Sequence, residues 1–459
     1  MRSKIDVSRN LCFHMLSEVF EDAAYSNIVL QKSLRSTRLT PQEKSFTVAL
    51  FYGTITRVYT LDYFLEKNLR KKYATLDFGV HTILRMGLWQ IIYAHSVPTF
   101  AAVNETVKIA KLYTNEGGVR LVNAVLRTLA QEFDDGLIDP ENTRFDVRYS
   151  LSREISGCLI KWYGQERAQS IAAAFLKDPS FTARVNRIRI TKDALAERLL
   201  QEDVTAEAGL FMDDALRLRL TGRAVYELPS FKEGLFMIQD EGAMLASHIL
   251  APEKGQRVLD VCSAPGGKSC HIAEIMEDTG LVTALDLNES RLEMVEQNQI
   301  RLGLSCIETK AADATLLSEE IPQYLGFFDR VLTDVPCSGL GLLLRKPDIR
   351  LTMTYEKMQE LLPVQAAILN QAADFVKPGG TLVYSTCTIN PHENGEQADQ
   401  FLLNRNDFEE YPFSDILPEK LIGLDPGHLE SALHGRLQLL PDADGCDGFF
   451  IARFRRKES

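Results

Sequence analysis

The second half of the chain alternates short apolar runs with longer amphipathic ones, and this pattern restricts the fold strongly. Runs rich in apolar and β-branched residues fit strands, and the stretches between them have helical periodicity. The strand-like runs are residues 257–262, 281–286, 306–310, 328–334, 380–386 and 449–454, and the helical stretches are 268–276, 290–302, 355–375 and 393–402. This order predicts an α/β Rossmann-like domain: a doubly wound parallel sheet with helices on both faces.

The first third of the chain has a different pattern and a different charge. From about residue 7 to residue 130, apolar side chains recur every three or four positions, which predicts an all-α bundle. Residues 1–130 carry 17 Lys and Arg against 10 Asp and Glu, a net charge of +7, although the whole chain has −12. This asymmetry indicates that the first third faces an anionic partner.

Short motifs in this helical region resemble the NusB antitermination-factor domain. They are LFYGT at 50–54, LRMG at 84–87, VP at 97–98 with AVNE at 102–105, and VNAVLR at 122–127. Members of that family bind RNA, so the resemblance implies a partner that suits the positive charge. Gly53 and Gly87 can equally serve only to let helices pack closely, in which case the motifs determine the fold more than the function.

Changes in composition predict where the domains divide. An acidic stretch containing Gly136 and Pro140 breaks the helical pattern and predicts a linker. We expect a NusB-like helical RNA-binding domain at 1–133, the linker at 134–149, a small α+β module at 150–235 and the α/β domain at 236–459.

The spacing of the cysteines and the composition of the N-terminus predict the cellular compartment of the protein. The eight cysteines are scattered, without the close pairs of a zinc site or the density of a disulfide-rich secreted protein. The chain begins with charged and polar residues and contains no run of about 18 apolar residues. We therefore expect a cytoplasmic monomer with reduced thiols, no metal and no membrane association.

The first strand of the α/β region runs into a turn that suits a nucleotide-type ligand. Glycine lets a backbone approach a ligand closely, and ligands of open α/β sheets bind beyond the carboxyl ends of the strands. The turn lacks the spacing of the dinucleotide fingerprint and of the P-loop, which disfavours NAD and ATP. Asp286 and Asp313 follow the next two strands at the same edge, where they can bond the ribose and the adenine of a phosphate-free adenosyl ligand. The turn comprises Cys262, Ser263, Ala264, Pro265, Gly266, Gly267 and Lys268.

Two later strands each deliver a cysteine to that edge. Cys337 follows the strand that ends at Asp334, and Cys387 follows the strand at 380–386. A lone cysteine in an intracellular protein is usually an inert core residue. Two that reach one ligand-bearing edge indicate thiol chemistry in a single cleft.

The motifs of the α/β region together resemble the Sun/Fmu (NOL1/NOP2/Sun) family of RNA cytosine-C5 methyltransferases, which use S-adenosylmethionine (SAM). A NusB-like domain ahead of such a catalytic domain is similar, more narrowly, to the bacterial members that act on 16S rRNA. The resemblance thus implies methylation of carbon 5 of a specific cytosine in 16S rRNA. It covers residues 231–454 and rests on DVCSAPGGK at 260–268, Asp286, Asp313, DVPCSG at 334–339, RKPD at 345–348 and STCTI at 385–389.

The resemblance also implies roles for single residues. Cys387 would add to carbon 6 of the cytosine through a covalent bond, and Cys337 would assist release of the product. The residues alone leave that order open, because DNA cytosine methyltransferases attack with the counterpart of Cys337. Asp334 would lie between the cofactor and the base, where it can bond the ring. The cofactor SAM would be held by residues 262–268, Asp286, Asp313 and Asp334.

Two alternative functions remain at this stage. The same reaction could act on tRNA or on another rRNA site. A methyltransferase fold could also serve as a non-catalytic RNA-binding assembly factor, although the cysteine pair and the three cofactor acids disfavour this. In either enzymatic case the target base must leave its stack, which favours single-stranded or loop RNA.

Overall fold

The computed structural model describes residues 6–69, 75–220 and 224–458, which divide into two compact units. The first unit contains the described residues up to Lys177 together with Arg345–Thr354, and the second contains Asp178–Leu344 and the chain from Tyr355 onward. In the described part of the chain, no helix is both long and apolar enough to cross a membrane.

The first unit is an all-α bundle, as the periodicity predicts. Helices begin where the sequence supplies caps: Thr40 and Glu43 form a capping box, and the Asn115 side chain accepts a hydrogen bond from the Gly118 N–H. Its helices are α1 (Val7–Glu21), α2 (Ser26–Ser36), α3 (Pro41–Thr56), α4 (Val58–Asn68), α5 (Phe78–Tyr93), α6 (Thr99–Tyr113), α7 (Glu116–Asp134), α8 (Phe145–Arg148), α9 (Arg153–Ala174) and α16 (Ile349–Thr352).

Two glycines of the NusB-like motifs allow close helix packing. A Cβ atom on Gly53 would lie 2.3 Å from the Trp89 ring, and one on Gly87 would lie 2.5 Å from Leu126. Both glycines therefore serve the bundle core, since any side chain at either position would collide with a buried neighbour.

Ten residues from the second half of the sequence, Arg345–Thr354, belong to the first unit. Their anchor is Arg350, whose side chain is fully buried. Its guanidinium donates to the Thr56 carbonyl at 2.7 Å and lies 3.4 Å from the Ser150 carbonyl and 3.5 Å from the Phe175 carbonyl. Thr56 and Phe175 stand at helix C-termini, where carbonyl groups lack partners within the helix and favour a cation.

The second unit begins with a small antiparallel sheet in the order β2-β3-β1-β4. The sequence predicts a small α+β module here, but the helix Arg153–Ala174, which the predicted bounds of 150–235 include, lies in the first unit. The elements of the module in the second unit are β1 (Phe181–Val185), α10 (Lys192–Gln201), β2 (Thr205–Ala208), β3 (Ala215–Arg219), α11 (Pro229–Lys232) and β4 (Phe236–Ile238).

The rest of the second unit is an α/β domain built on an eight-stranded sheet in the order β10-β12-β9-β8-β5-β6-β7, with β11 paired to β12. Strands β5 to β9 pair in parallel. Its elements are α12 (Glu241–Leu250), β5 (Arg257–Asp260), α13 (Gly267–Ile275), β6 (Leu281–Asp286), α14 (Glu289–Leu302), β7 (Ile307–Ala311), α15 (Leu317–Glu320), β8 (Phe328–Asp334), α17 (Tyr355–Phe375), β9 (Val376–Thr386), α18 (Gly395–Asn404), β10 (Phe408–Glu410), α19 (Glu419–Leu424), α20 (Gly427–Leu433), β11 (Arg436–Leu439), α21 (Pro441–Asp444) and β12 (Phe449–Arg456).

The prediction of a wholly parallel sheet is wrong at its C-terminal edge. β12 pairs antiparallel with β9, β10 and β11, so the sheet is mixed. The connection from β11 to β12 is too short for the crossover that parallel neighbours need, so the chain returns antiparallel. The Rossmann-like α/β class itself is confirmed, because the parallel strands β5 to β9 form the part that carries the predicted site.

Candidate active site

The glycine-rich turn lies between β5 and α13, as its sequence predicts. Gly266 has a positive φ of 97°, and a Cβ atom there would lie 3.1 Å from the Val295 backbone. Both observations favour glycine, since an L side chain is strained at such a φ and Val295 leaves it little room. The turn thus packs closely against α14 beyond the carboxyl end of β5, and Ser263 lies within it with its hydroxyl buried.

Asp286 lies at the end of β6 and is almost fully buried. One carboxylate oxygen accepts the Ala264 N–H at 3.3 Å, and the other accepts the Asn288 N–H at 3.1 Å. The carboxylate is therefore held against the glycine-rich turn.

Asp313 lies two residues beyond β7 and is only partly buried. Hydrogen bonds from the hydroxyl and N–H of Thr315 lower the pKa of its carboxyl, so it is anionic at neutral pH. The two predicted cofactor acids thus follow adjacent parallel strands at the same edge of the sheet.

The two cysteines from β8 and β9 lie side by side. Their Sγ atoms are 3.2 Å apart, and both side chains are partly buried. The hydrogen bond to Cys387 and burial raise the pKa of the Cys337 thiol well above its usual value. Cys337 therefore stays protonated at neutral pH, and either thiol can donate its S–H to the other across this contact.

The loop that carries Cys337 is held by backbone contacts. The Gly341 N–H donates to the Cys387 carbonyl at 3.1 Å, and the Gly448 N–H donates to the Gly341 carbonyl at 3.0 Å. A Cβ atom on Gly341 would lie 2.0 Å from the Gly448 carbonyl oxygen, so only glycine allows this approach.

An ion pair lies beside the thiols. Lys268 Nζ donates to Asp334 Oδ2 at 2.6 Å, and the Ser385 hydroxyl donates to Oδ1 at 2.8 Å. Burial alone would lower the pKa of Lys268, but Asp334 outweighs it and, with a smaller contribution from Cys387, raises that pKa. Lys268 is therefore a cation whose field reaches Cys387.

The site combines the glycine-rich turn with two acids, a thiol pair and a cation at one edge of the sheet. The amino-acid sequence of the chain is also similar to known proteins. Residues 247–455 match the family described as 16S rRNA methyltransferase RsmB/F, residues 6–131 match the NusB family, and residues 157–223 match the ferredoxin-like domain of RsmF/B-like methyltransferases. The chain is 35% identical over 98% of its length to the "Probable ribosomal RNA small subunit methyltransferase B" of Synechocystis, of which it covers 99%. The chain belongs to the RsmB/F family.

Two further similarities extend over much of the chain. A protein of the same description from Bacillus subtilis is 35% identical, with 98% of each chain covered. A methyltransferase homologue from Pyrococcus horikoshii, known from its crystal structure, is 28% identical, with a TM-score of 0.56 over 68% of this chain and 97% of its own. The resemblance found in the sequence is thereby confirmed for the family and for the NusB-like domain.

Sequence reasoning missed Glu393, which anchors the loop of this RsmB/F-family site. Its buried carboxylate accepts the Ser338 N–H at 2.8 Å, the Gln365 side chain at 2.9 Å and the Asn390 side chain at 2.8 Å. Ser338 follows Cys337, so Glu393 fixes the backbone next to that thiol. An acid six residues after Cys387 in a polar loop gives no signal of burial in the sequence.

Arg184 of β1 was also missed as part of the site. Its fully buried guanidinium donates to the Gly267 carbonyl at 2.8 Å and to both carboxylate oxygens of Glu274, at 2.9 and 2.8 Å. It also donates to the Gln239 side chain. An arginine on a strand with buried neighbours on both sides is the signal that could have found it, because lone arginines are seldom buried.

The carboxyl group of Asp260, at the end of β5, should make the free energy of unfolding of the protein depend on pH. Burial raises the pKa of its carboxyl to about 7, against a smaller opposing effect of the Ser269 hydroxyl that donates to it at 2.6 Å. The folded state thus favours the neutral acid, whereas the unfolded chain ionises near pH 4. Stability relative to an Asp260→Asn variant, whose amide does not titrate, should fall as the pH rises from about 4 to about 7, by up to about 4 kcal/mol.

Denaturant unfolding of both proteins at several pH values between 4 and 8 measures this difference. Above about pH 7 the gap between the two proteins should stay constant. Parallel stability profiles over the whole range would show that Asp260 is ionised in the folded state.

Proposed function

We propose that this protein transfers a methyl group from SAM to carbon 5 of a cytosine in 16S rRNA, through a covalent bond between Cys387 and carbon 6. The observation that supports this most is the 3.2 Å separation of Cys337 and Cys387 beside the Lys268–Asp334 ion pair. Two adjacent thiols suit a reaction in which an enzyme–base bond must form and later break.

The residues around the turn fit SAM. Asp286, which is held against the glycine-rich turn, and Asp313, which lies beyond the next strand, provide acceptors for ribose and adenine donors. When bound, SAM supplies an electrophilic methyl on a sulfonium. We assign residues 262–268 to its methionine end, Asp286 to the ribose, Asp313 to the adenine and Asp334 to the side facing the base.

Carbon 5 of cytosine is too weak a nucleophile to take a methyl group unaided. Addition of the Cys387 thiolate to carbon 6 turns the ring into an enamine-like nucleophile at carbon 5. Lys268 stabilises nearby negative charge, and Asp334 is placed to bond the ring as charge moves through it. After methylation the carbon-5 proton leaves to a base, the electron pair re-forms the ring double bond, and the bond from carbon 6 to sulfur breaks.

Cys337 then assists the release of the product. The family pattern assigns attack to Cys387 and release to Cys337. The 3.2 Å separation fits this order, because a thiol next to Cys387 can donate a proton to the departing sulfur.

The assignment to 16S rRNA rests on the relatives, which are described as small-subunit rRNA methyltransferases. Bisulfite mapping of total RNA from a strain that lacks the gene tests it. We expect one 5-methylcytosine to disappear from 16S rRNA and to return with the wild-type gene. Loss of a methylcytosine from tRNA or 23S rRNA would show that this RNA is the substrate instead. An unchanged map would refute the proposed methyltransferase activity.

Arg184 should act as a positioning residue for SAM. The double variant Arg184→Met/Glu274→Met removes the bond to the Gly267 carbonyl without leaving a buried charge unpaired. Gly267 belongs to the glycine-rich turn that we assign to SAM. We therefore expect the KM for SAM to rise about 10-fold in the double variant, while kcat changes much less. Steady-state kinetics at saturating RNA measures both constants.

The matched control is Glu274→Gln, which keeps the bond from Arg184 to Gly267. It should lower the unfolding temperature but leave the KM for SAM within about 2-fold of wild type. Equal KM values in the double variant and the control would assign Arg184 to stability alone.

A further inference from the structure

A cleft between α6 and α7 lies outside the site described above. It has a volume of about 540 Å³, and its polar walls are Asn104, Lys108 and Lys111 on α6 and Arg120, Asn123 and Arg127 on α7. The spacings of three and four residues put each set on one face of its helix. The two faces line the same cleft, which is about 10 Å long at 1.5 Å per residue.

Part of the NusB-like motifs is not explained by packing. In VNAVLR, Val122, Val125 and Leu126 are buried, but Arg127 is exposed. In AVNE, Asn104 is exposed in the same way. The interpretation that these motifs determine the fold therefore holds for their apolar members, whereas the polar members Asn104 and Arg127 line the cleft.

The cleft carries excess positive charge. Its lining contains four cations and one acid, Glu105, which pairs with Lys108 at 2.6 Å. Arg120 approaches Glu116 at 3.6 Å, but both side chains are more than three-quarters exposed, so this pair contributes little. Within the described ranges, Lys111 and Arg127 have no ion-pair partner within 4 Å.

We propose that the α6–α7 cleft binds the phosphodiester backbone of the substrate RNA. The inference rests on the proposed function, which makes RNA the substrate. Facing rows of like charge repel each other unless an anion lies between them, and an RNA backbone supplies a row of such anions. The asparagine amides can donate to phosphate or ribose oxygens and give no base specificity.

The test compares two double variants of the full-length protein. Lys111→Gln/Arg127→Gln removes two cations from the cleft, and Arg153→Gln/Lys161→Gln removes two exposed cations from α9 as the matched control. Binding to a 16S rRNA transcript is measured at several salt concentrations. We expect the slope of log affinity against log salt to become shallower by about 1.4 in the cleft variant, at 0.7 per lost contact, and to stay near wild type in the control.

Measurements of methyl transfer distinguish a failure of this inference from a failure of the proposed function. The cleft variant should keep the wild-type kcat at saturating RNA and show a raised KM for RNA, because its cations lie away from the thiols in the sequence and in a different unit. A wild-type salt slope in the cleft variant, or an equal change in both variants, would overturn the cleft as the RNA site. Failure of the wild-type protein itself to methylate the transcript would instead refute the proposed function.

Discussion

A Cys337→Ala variant is expected to accumulate a covalent complex with its RNA substrate. Without the neighbouring thiol, the bond between Cys387 and carbon 6 should form but break slowly, because the departing sulfur lacks the proton donor that lies 3.2 Å away in the wild-type protein. The complex should persist in denaturing gels as a protein band shifted by RNA, and turnover should stop after about one equivalent of methylated product.

Cys387→Ala should give the opposite result. It removes the nucleophile, so no shifted band forms and methyl transfer falls to background. Cys158→Ala, which changes a partly buried cysteine of the first unit, is the matched control and should behave like wild type. A stable complex with Cys387→Ala and none with Cys337→Ala would exchange the roles of the two cysteines.

The second large effect is expected for Asp334→Asn. The change removes the negative charge that pairs with Lys268, and it replaces one oxygen of the carboxylate proposed to bond the cytosine ring by an NH2 donor. We expect single-turnover methylation to fall about 1,000-fold, within the range for a group that acts on the reacting base. Rapid-quench measurement at saturating RNA and SAM gives this rate directly.

Ser385→Ala is the control for Asp334. It removes only the hydroxyl that donates to Asp334 at 2.8 Å and should lower the rate less than about 10-fold. Thermal unfolding of both variants verifies that each still folds. A rate for Asp334→Asn close to that of Ser385→Ala would place Asp334 outside the chemistry.

The parts of the site that could be predicted from sequence follow a rule of topology. Carboxyl ends of parallel strands share one edge, so residues following β5, β6, β7, β8 and β9 could be assigned to one region from their order alone. This reasoning suggested that Cys337 and Cys387 lie together, although fifty residues separate them. Their individual roles and those of the cofactor acids remain predictions.

Other features depend on contacts that no local pattern encodes. Arg184 reaches Glu274 across 90 residues, and Ser338 reaches Glu393 across 55. Strand direction at the sheet edge was missed because alternation of strands and helices shows where strands lie but not which way they run. Arg345–Thr354 joins the first unit through contacts of Arg350 with carbonyls far away in sequence, which composition could not indicate.

The most direct measurement of the central claim uses wild-type protein and a 16S rRNA transcript that contains 5-fluorocytidine in place of cytidine. Fluorine at carbon 5 cannot leave as the proton does, so the enzyme–base bond should persist after methyl transfer. Digestion and mass spectrometry of the trapped complex then identify the modified residue. We predict that the peptide carrying Cys387 bears the methylated nucleotide; a nucleotide on Cys337, or a SAM-treated sample without any protein–RNA bond, would contradict the account.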